Sequence, residues 1–321
     1  MAAKNQDSPV MITILGPTAT GKTRLAAQVA HQLNGEIISA DSRQVYRGMD
    51  IGTGKDYADY QVDGRQIPFH LVDIADAGYE YNVFEFREDF YMAFAEIQNR
   101  RKQPILCGGT GLYLEAVLSG YKMVKVPVNA ELREKLSSKT IHELNLILSE
   151  FRELHNTTDS TDIQRTIRAI EIEEYLKNHT RQLNDFPQIK SVIFGLQFDR
   201  QIIRQRITER LKSRLEGGMI EEVKTLLDSG LQPAQLSFYG LEYRFLTDYV
   251  TGKITYDDMF ALLNTAIHQF AKRQMTWFRR MEKKGFQIHW IDGNLKDSEK
   301  VGLVLDVFDR GRVEEINHIG I

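Results

Sequence analysis

Residues 16 to 23, Gly16-Pro17-Thr18-Ala19-Thr20-Gly21-Lys22-Thr23, match the phosphate-binding loop pattern G-x-x-x-x-G-K-[ST] in full. No other feature constrains the fold as much, because such a loop works only between a buried strand and a helix. Its flanks supply both. Met11 to Leu15 is a short apolar run suited to a buried strand. From Thr23 to Leu33, the residues Leu25, Ala26, Val29, Ala30 and Leu33 fall on one side of a helix. In that setting backbone N–H groups turn toward phosphate oxygens, and the positive helix end favours the anion. Lys22 adds a point charge, and the Thr23 hydroxyl can ligate Mg²⁺. Gly16, Thr18, Ala19, Thr20, Gly21, Lys22 and Thr23 are therefore expected to surround a phosphate or diphosphate. The loop leaves the compound open, and a small-molecule ATP kinase would carry the same signature.

The pattern around the loop predicts an α/β fold. Glu36 to Ser39 and Pro104 to Cys107 read as further strands, with an amphipathic helix from Val83 to Arg101 between them. Gly108-Gly109-Thr110-Gly111 then opens a helix from Leu112 to Leu118. Alternation of this kind builds a parallel sheet flanked by helices. From Asn129 to Asn178 only helical periodicity appears, broken near Asn156 to Ser160. Ser191 to Phe198 returns as a strand, 199 to 284 is mostly helical with a break at Gln232 to Gly240, and Gln287 to Ile291 is a last strand. The expected organisation is a core from 1 to 122, a helical insertion from 123 to 190, a second core part from 191 to 293, and a helix or tail from 294 to 321.

Charge and cysteine usage narrow the function. The net charge is −3, so nucleic acid could be held only by local basic patches. Two segments qualify, Arg200 to Arg214 and His268 to Lys284, the second interleaved with Phe270, Trp277 and Phe278. Each could equally be a solvated helix face. Cys107 is the only cysteine, which excludes an intrachain disulfide and a cysteine-based zinc site. No apolar run approaches the ~20 residues of a membrane span, and Met1 to Pro9 is polar, so a cytoplasmic protein is expected.

Asp41 follows the second strand directly and should lie on the ligand side of the sheet, where a carboxylate can bind Mg²⁺ or take a proton. A turn or capping role fits the same spacing. The Gly108 to Gly111 turn and Asp73 have comparable placements. Arg206 and Arg210 are spaced i, i+4 and share a helix face that could contact a diphosphate. Arg165, Arg168 and Glu171 are spaced by three and could form an ion-pair ladder.

Together these residues resemble the tRNA dimethylallyltransferase (tRNA isopentenyltransferase) family, bacterial type. The resemblance runs in ordered blocks: GPTATGKTRLA at 16–26, ISADSRQVYRGMDIGTGK at 38–55, FHLVDI at 69–74, GGTGLYLEAVLSG at 108–120, QRTIRAIEI at 164–172, RITERLKSRLEGGMIEEV at 206–223 and AKRQMTWFRR at 271–280. It implies a P-loop NTPase-like α/β core with a helical insertion domain. It implies transfer of a dimethylallyl group from dimethylallyl diphosphate to N6 of the adenosine 3′ of the anticodon, with Mg²⁺ as cofactor and the tRNA anticodon stem-loop as partner. The resemblance further implies catalytic roles for Asp41 as general base, for Thr110 near the donor and for Arg210 on the diphosphate. Ser42, Gln44, Val45, Tyr46, Lys55, Gln164, Arg165, Arg168, Lys272, Arg273, Gln274 and Arg279 would face the acceptor or the tRNA. A monomer is expected, with no membrane attachment and no obligate protein partner. An adenylate dimethylallyltransferase, which modifies AMP or ATP on the same core, and a non-catalytic RNA-binding protein are the competing readings. The chain departs from the pattern in three stretches, one of them Gly240-Leu241-Glu242-Tyr243, where the family reads Gly-Tyr-x-x. Gly52-Thr53-Gly54-Lys55-Asp56 stands where the family reads Gly-Thr-Ala-Lys-Pro, and His155 and Asp162 are the remnants of a longer string in the insertion.

Overall fold

The computed structural model describes residues 10–120, 124–153, 162–179 and 189–318. The predicted helix break at 156–160, and His155, lie outside the described residues. The chain divides into two compact units, Met1–Tyr121 with Pro187–Ile321, and Lys122–Phe186.

The larger unit is built on a six-stranded parallel sheet. Its strands are β1 (Met11–Leu15), β2 (Gly35–Ala40), β5 (Phe69–His70), β6 (Gln103–Gly108), β7 (Ser191–Gln197) and β8 (Ile288–Asp292), in the order β5-β2-β6-β1-β7-β8. Every residue of β1 and β2 is buried, Thr13, Glu36 and Ser39 included, as strands covered on both faces require. Helices α1 (Lys22–Leu33) and α12 (Asp297–His318) cover one face. Their Leu25, Val29, Val304 and Phe308 join Ile12, Ile14, Ile37, Ile105 and Phe194 in one core cluster. The segment after Gly293 is thus a helix docked on the core. Ile38 and Leu106, one residue along their strands, are fully buried and point to the other face. There α2 (Val83–Asn99) lies against β2 and β6 and packs with α3 (Gly111–Leu118). Asn82 and Glu85 start α2 with a capping box.

The strand expected before Asp73 is only the two-residue edge strand β5, which ends at His70, and the hairpin of β3 (Gln61–Val62) and β4 (Arg65–Gln66) is too short to show a period. After β7 come α7 (Arg200–Glu216), α8 (Met219–Asp228), the single turn α9 (Pro233–Leu236), α10 (Leu241–Val250) and the long α11 (Tyr256–Lys283). The buried residues of α11 are Met259, Leu263, Ile267, Ala271, Gln274, Phe278 and Met281, a stripe with steps of three and four.

The smaller unit holds α4 (Ala130–Ser137), α5 (Ile141–Ser149) and α6 (Ile163–Asn178) around Leu136, Leu144, Leu148, Ile167 and Ile170. Asp162 caps α6 by accepting the Arg165 N–H.

Candidate active site

The loops after β1, β2 and β6 lie side by side, because these strands are neighbours in register. The phosphate loop is braced from within. Thr20 Oγ1 donates to the Pro17 carbonyl at 2.9 Å, and Lys22 Nζ folds back toward the same carbonyl at 3.5 Å. The first amides of α1 have no carbonyl one turn back to bond and open toward a ligand. Burial pushes the Lys22 ammonium below its ordinary pKa, while the nearby Cys107 and Asp41 act in the opposite sense. Cys107 itself is buried, and burial pushes its thiol up to about 12, which leaves it an inert strand residue.

The other two loops are stitched together. Thr110 Oγ1 accepts the Ser42 N–H at 3.0 Å, and the Thr110 N–H donates to the Ala40 carbonyl. Asp41, half-buried between them, accepts the Arg43 N–H through Oδ1 at 2.9 Å in a local turn. That bond engages one of the two carboxylate oxygens. Gln44 ties the segment downstream, its Nε2 donating to the Gly54 carbonyl at 3.0 Å.

Helix α7 closes the site with arginines on a single face. Arg206 Nε donates to the Ala19 carbonyl at 2.9 Å, and Arg210 Nη1 to Thr18 Oγ1 at 3.2 Å. One turn further, Arg214 reaches the same region. Burial, and next the Arg210 charge, pull its guanidinium down to about 10. Arg210, Arg214, Thr18 and Glu242 line a cleft together with the apolar Ile207, Leu211, Met219 and Ile267. Burial pushes the Glu242 carboxyl above its ordinary pKa beside these cations.

Several predicted contact residues lie elsewhere than expected. Gln274 is turned inward, away from the exposed side of α11. It is 7% exposed, its Oε1 accepts the Thr18 N–H at 2.9 Å and its Nε2 donates to the Gly109 carbonyl at 2.8 Å. A Cβ on Gly109 would stand 2.5 Å from that Nε2, so glycine permits the approach. Lys55, 6% exposed, is likewise turned inward. Its ammonium donates to Asp50 at 2.9 Å, to Asp73 and to the Tyr46 carbonyl. Asp73 is therefore the partner of Lys55 and Tyr57. Val45 and Tyr46 are fully buried, and the Tyr46 hydroxyl accepts the Tyr81 N–H. These side chains hold the loop in place, and an amphipathic reading could not assign them because the segment has no regular period.

In the smaller unit, Gln164 and Arg165 are exposed on α6. Arg168 donates instead to Glu171 and to the Val126 carbonyl. On α11, Lys272, Arg273 and Arg279 are exposed, as a basic outer face demands. Arg280 and Lys284 pair with the buried Glu115, and Arg280 also stacks on Trp277 at 4.0 Å.

The sequence reading missed Glu222. Its carboxylate accepts the N–H groups of Asp50, Ile51 and Gly52 at 2.8, 2.7 and 3.0 Å, and the Tyr243 hydroxyl at 2.7 Å. It thereby anchors the loop that carries Lys55 and Asp56. Only a long-range contact could have revealed it. Among the described residues no group of three or more His, Cys, Asp or Glu could hold a metal ion, and no helix is long and apolar enough to cross a membrane.

The family described as IPP transferase matches residues 44–281. The tRNA dimethylallyltransferase 2 of Bacteroides fragilis is 58% identical over 294 residues, covering 92% of this chain and 96% of that protein. The tRNA dimethylallyltransferase 1 of Porphyromonas gingivalis is 58% identical over 93% of this chain and 99% of its own length. The crystal structure of the full-length tRNA isopentenylpyrophosphate transferase from Bacillus halodurans superposes with a TM-score of 0.70 at 32% identity, covering 97% of this chain and 98% of that one. A family match over most of the chain, high identity to relatives along nearly their whole length, and a shared fold carry one conclusion: the chain belongs to the IPP transferase family.

Proposed function

We propose that this protein is a tRNA dimethylallyltransferase. It transfers the dimethylallyl group of dimethylallyl diphosphate to N6 of the adenosine 3′-adjacent to the anticodon, in tRNAs reading codons that begin with U, and releases diphosphate. The observation that carries this reading is Arg210. One guanidinium donates to Thr18 of the phosphate loop and lines a cleft walled by Ile207, Leu211, Met219 and Ile267. A cationic head site and an apolar wall suit an allylic diphosphate, which has a charged head and a small hydrocarbon tail.

The residues then divide the work. The loop amides, Lys22, Arg206 and Arg210 stabilise the charge that grows on the departing diphosphate. Mg²⁺ would be held by the Thr23 hydroxyl and the phosphate oxygens of the ligand, and would supply charge neutralisation there. Asp41 takes the proton from the adenine amine through the oxygen that Arg43 leaves open. Thr110 fixes the Asp41–Ser42 turn against the donor. An exocyclic amine is a weak nucleophile, so placing it against the allylic carbon matters as much as removing its proton. The target base leaves its stack to reach the site. Lys272, Arg273 and Arg279 offer the exposed cations for the tRNA backbone, with the work done in the cytoplasm where the substrate is.

The test is transfer of radiolabelled dimethylallyl, with Mg²⁺, to an unmodified anticodon stem-loop carrying an adenosine-rich loop, beside AMP and ATP. Label on the RNA alone is expected. Label on AMP or ATP would move the protein to the nucleotide-modifying class. The exposed basic face of α11, which a free-nucleotide enzyme does not need, favours RNA.

A further inference from the structure

The loop after β2 ends in a carboxylate that the roles above do not use. Asp56 Oδ2 accepts Arg210 Nη2 at 3.0 Å and Arg214 Nη2 at 3.3 Å. Arg210 turns its other terminal nitrogen, Nη1, to Thr18 in the phosphate loop. Asp56 therefore competes for guanidinium donors that face the diphosphate site. Position 54 allows this close approach. Gly54 has a left-handed φ of +78°, and a Cβ there would lie 2.6 Å from Arg210 Nη2 and 2.3 Å from Arg214 Nη2. Residues 54 and 56 are the two positions at which the chain departs from the resembled Gly-Thr-Ala-Lys-Pro pattern. Here they serve one geometry.

Two neighbouring guanidiniums repel each other, and a single carboxylate shared between them offsets that repulsion. A diphosphate brings more negative charge and more acceptor oxygens to the same donors. It cannot share them with Asp56 without like-charge repulsion. Asp56 can give way, because its side chain is 53% exposed and would swing into water without stranding a buried charge.

We propose that Asp56 is a displaceable internal counter-ion: it holds Arg210 and Arg214 on the loop, yields them to the diphosphate group, and so lowers affinity for both donor and released diphosphate. The proposal rests on the diphosphate reading of the site. Asp56 is a positioning residue in this scheme, since it acts through the two arginines.

Calorimetric binding of inorganic diphosphate with Mg²⁺, on the full chain, tests it. Asp56→Asn keeps the shape and removes the charge. It should bind diphosphate about three- to tenfold tighter, the scale of one like charge removed near a protein surface. Its KM for the donor should fall in parallel, and its kcat should not rise. Asp56→Glu, with the charge kept, should stay within about twofold of the parent protein on the same argument. An unchanged or weaker diphosphate affinity in folded Asp56→Asn would overturn the proposal, and a weaker one would make Asp56 a clamp that organises the arginines. If the parent protein, with a native circular dichroism spectrum, bound no diphosphate at all, the donor-site reading would fail first and this proposal with it.

Discussion

Gln274 accepts the backbone N–H of Thr18 at 2.9 Å, so a helix 256 residues downstream sets the shape of the phosphate loop. The same side-chain amide donates to Gly109, which joins the phosphate loop and the second glycine turn through a single group. Both bonds need an amide, with one acceptor end and one donor end.

Gln274→Leu should therefore leave the Thr18 N–H and the Gly109 carbonyl without partners in a buried place. The expected loss is about 1–3 kcal/mol of stability, read as a lower melting temperature. Gln274→Glu keeps an acceptor for Thr18 but sets a second acceptor against the Gly109 carbonyl and adds an anion near the diphosphate. Its donor KM should rise more than that of Gln274→Leu. Equal KM values for the two variants would show that charge at this position is not felt by the donor.

Asp41→Asn is expected to separate chemistry from binding. The asparagine oxygen can still accept the Arg43 N–H, so the turn survives. Proton removal is lost, and the transfer rate should fall about 10²–10⁴-fold, with diphosphate affinity little changed. A near-parental rate in single-turnover assays would remove Asp41 from the base role.

Glu222→Ala should be more disruptive than its distance from the reaction suggests. It leaves three loop amides and the Tyr243 hydroxyl without their common acceptor. A stability loss of about 3 kcal/mol or more is expected in urea unfolding, together with a rise in donor KM as Lys55 and Asp56 lose their anchor. Glu222→Gln should recover part of it, because its amide oxygen can still accept. A Glu222→Ala protein as stable as the parent would show that the loop does not depend on this anchor.

The helical unit carries its own pH signature. Burial would raise the Glu171 carboxyl, but the Arg133 hydrogen bond, the Asn129 N–H and Arg168 outweigh it and bring the pKa to about 2. A carboxylate depressed in the folded state stabilises fully above its unfolded pKa, and that stability is lost as the pH falls. The window here runs from about 4.5 down to about 2. Glu171→Gln should cost about 2 kcal/mol in the α6 region at pH 7, measured by hydrogen exchange. The gap to the parent protein should narrow as the pH drops below 4.5. A constant gap across that range would mean that packing, not charge, is responsible.

The sequence alone determined the parts of this protein that depend on near neighbours in the chain. The phosphate loop, its strand and helix, the parallel α/β pattern and the strand-end position of Asp41 are local, and hydrophobic period plus turn chemistry express them directly. The buried stripe of α11 was legible too, and it includes Gln274: steps of three and four place that residue among Ala271, Phe278 and Met281. The basic Lys272, Arg273 and Arg279 of the same helix lie on its outer face instead. Tertiary structure alone decided the rest. Lys55, Tyr46 and Arg168 look like ligand-facing polar groups in a string of letters, but each meets a partner or a core that the fold brings to it. Glu222 and Asp56 gained their roles from amides and guanidiniums on other elements. The direction of a polar side chain follows from whichever charge or orphan donor the fold sets beside it, and that neighbour is seldom close in sequence.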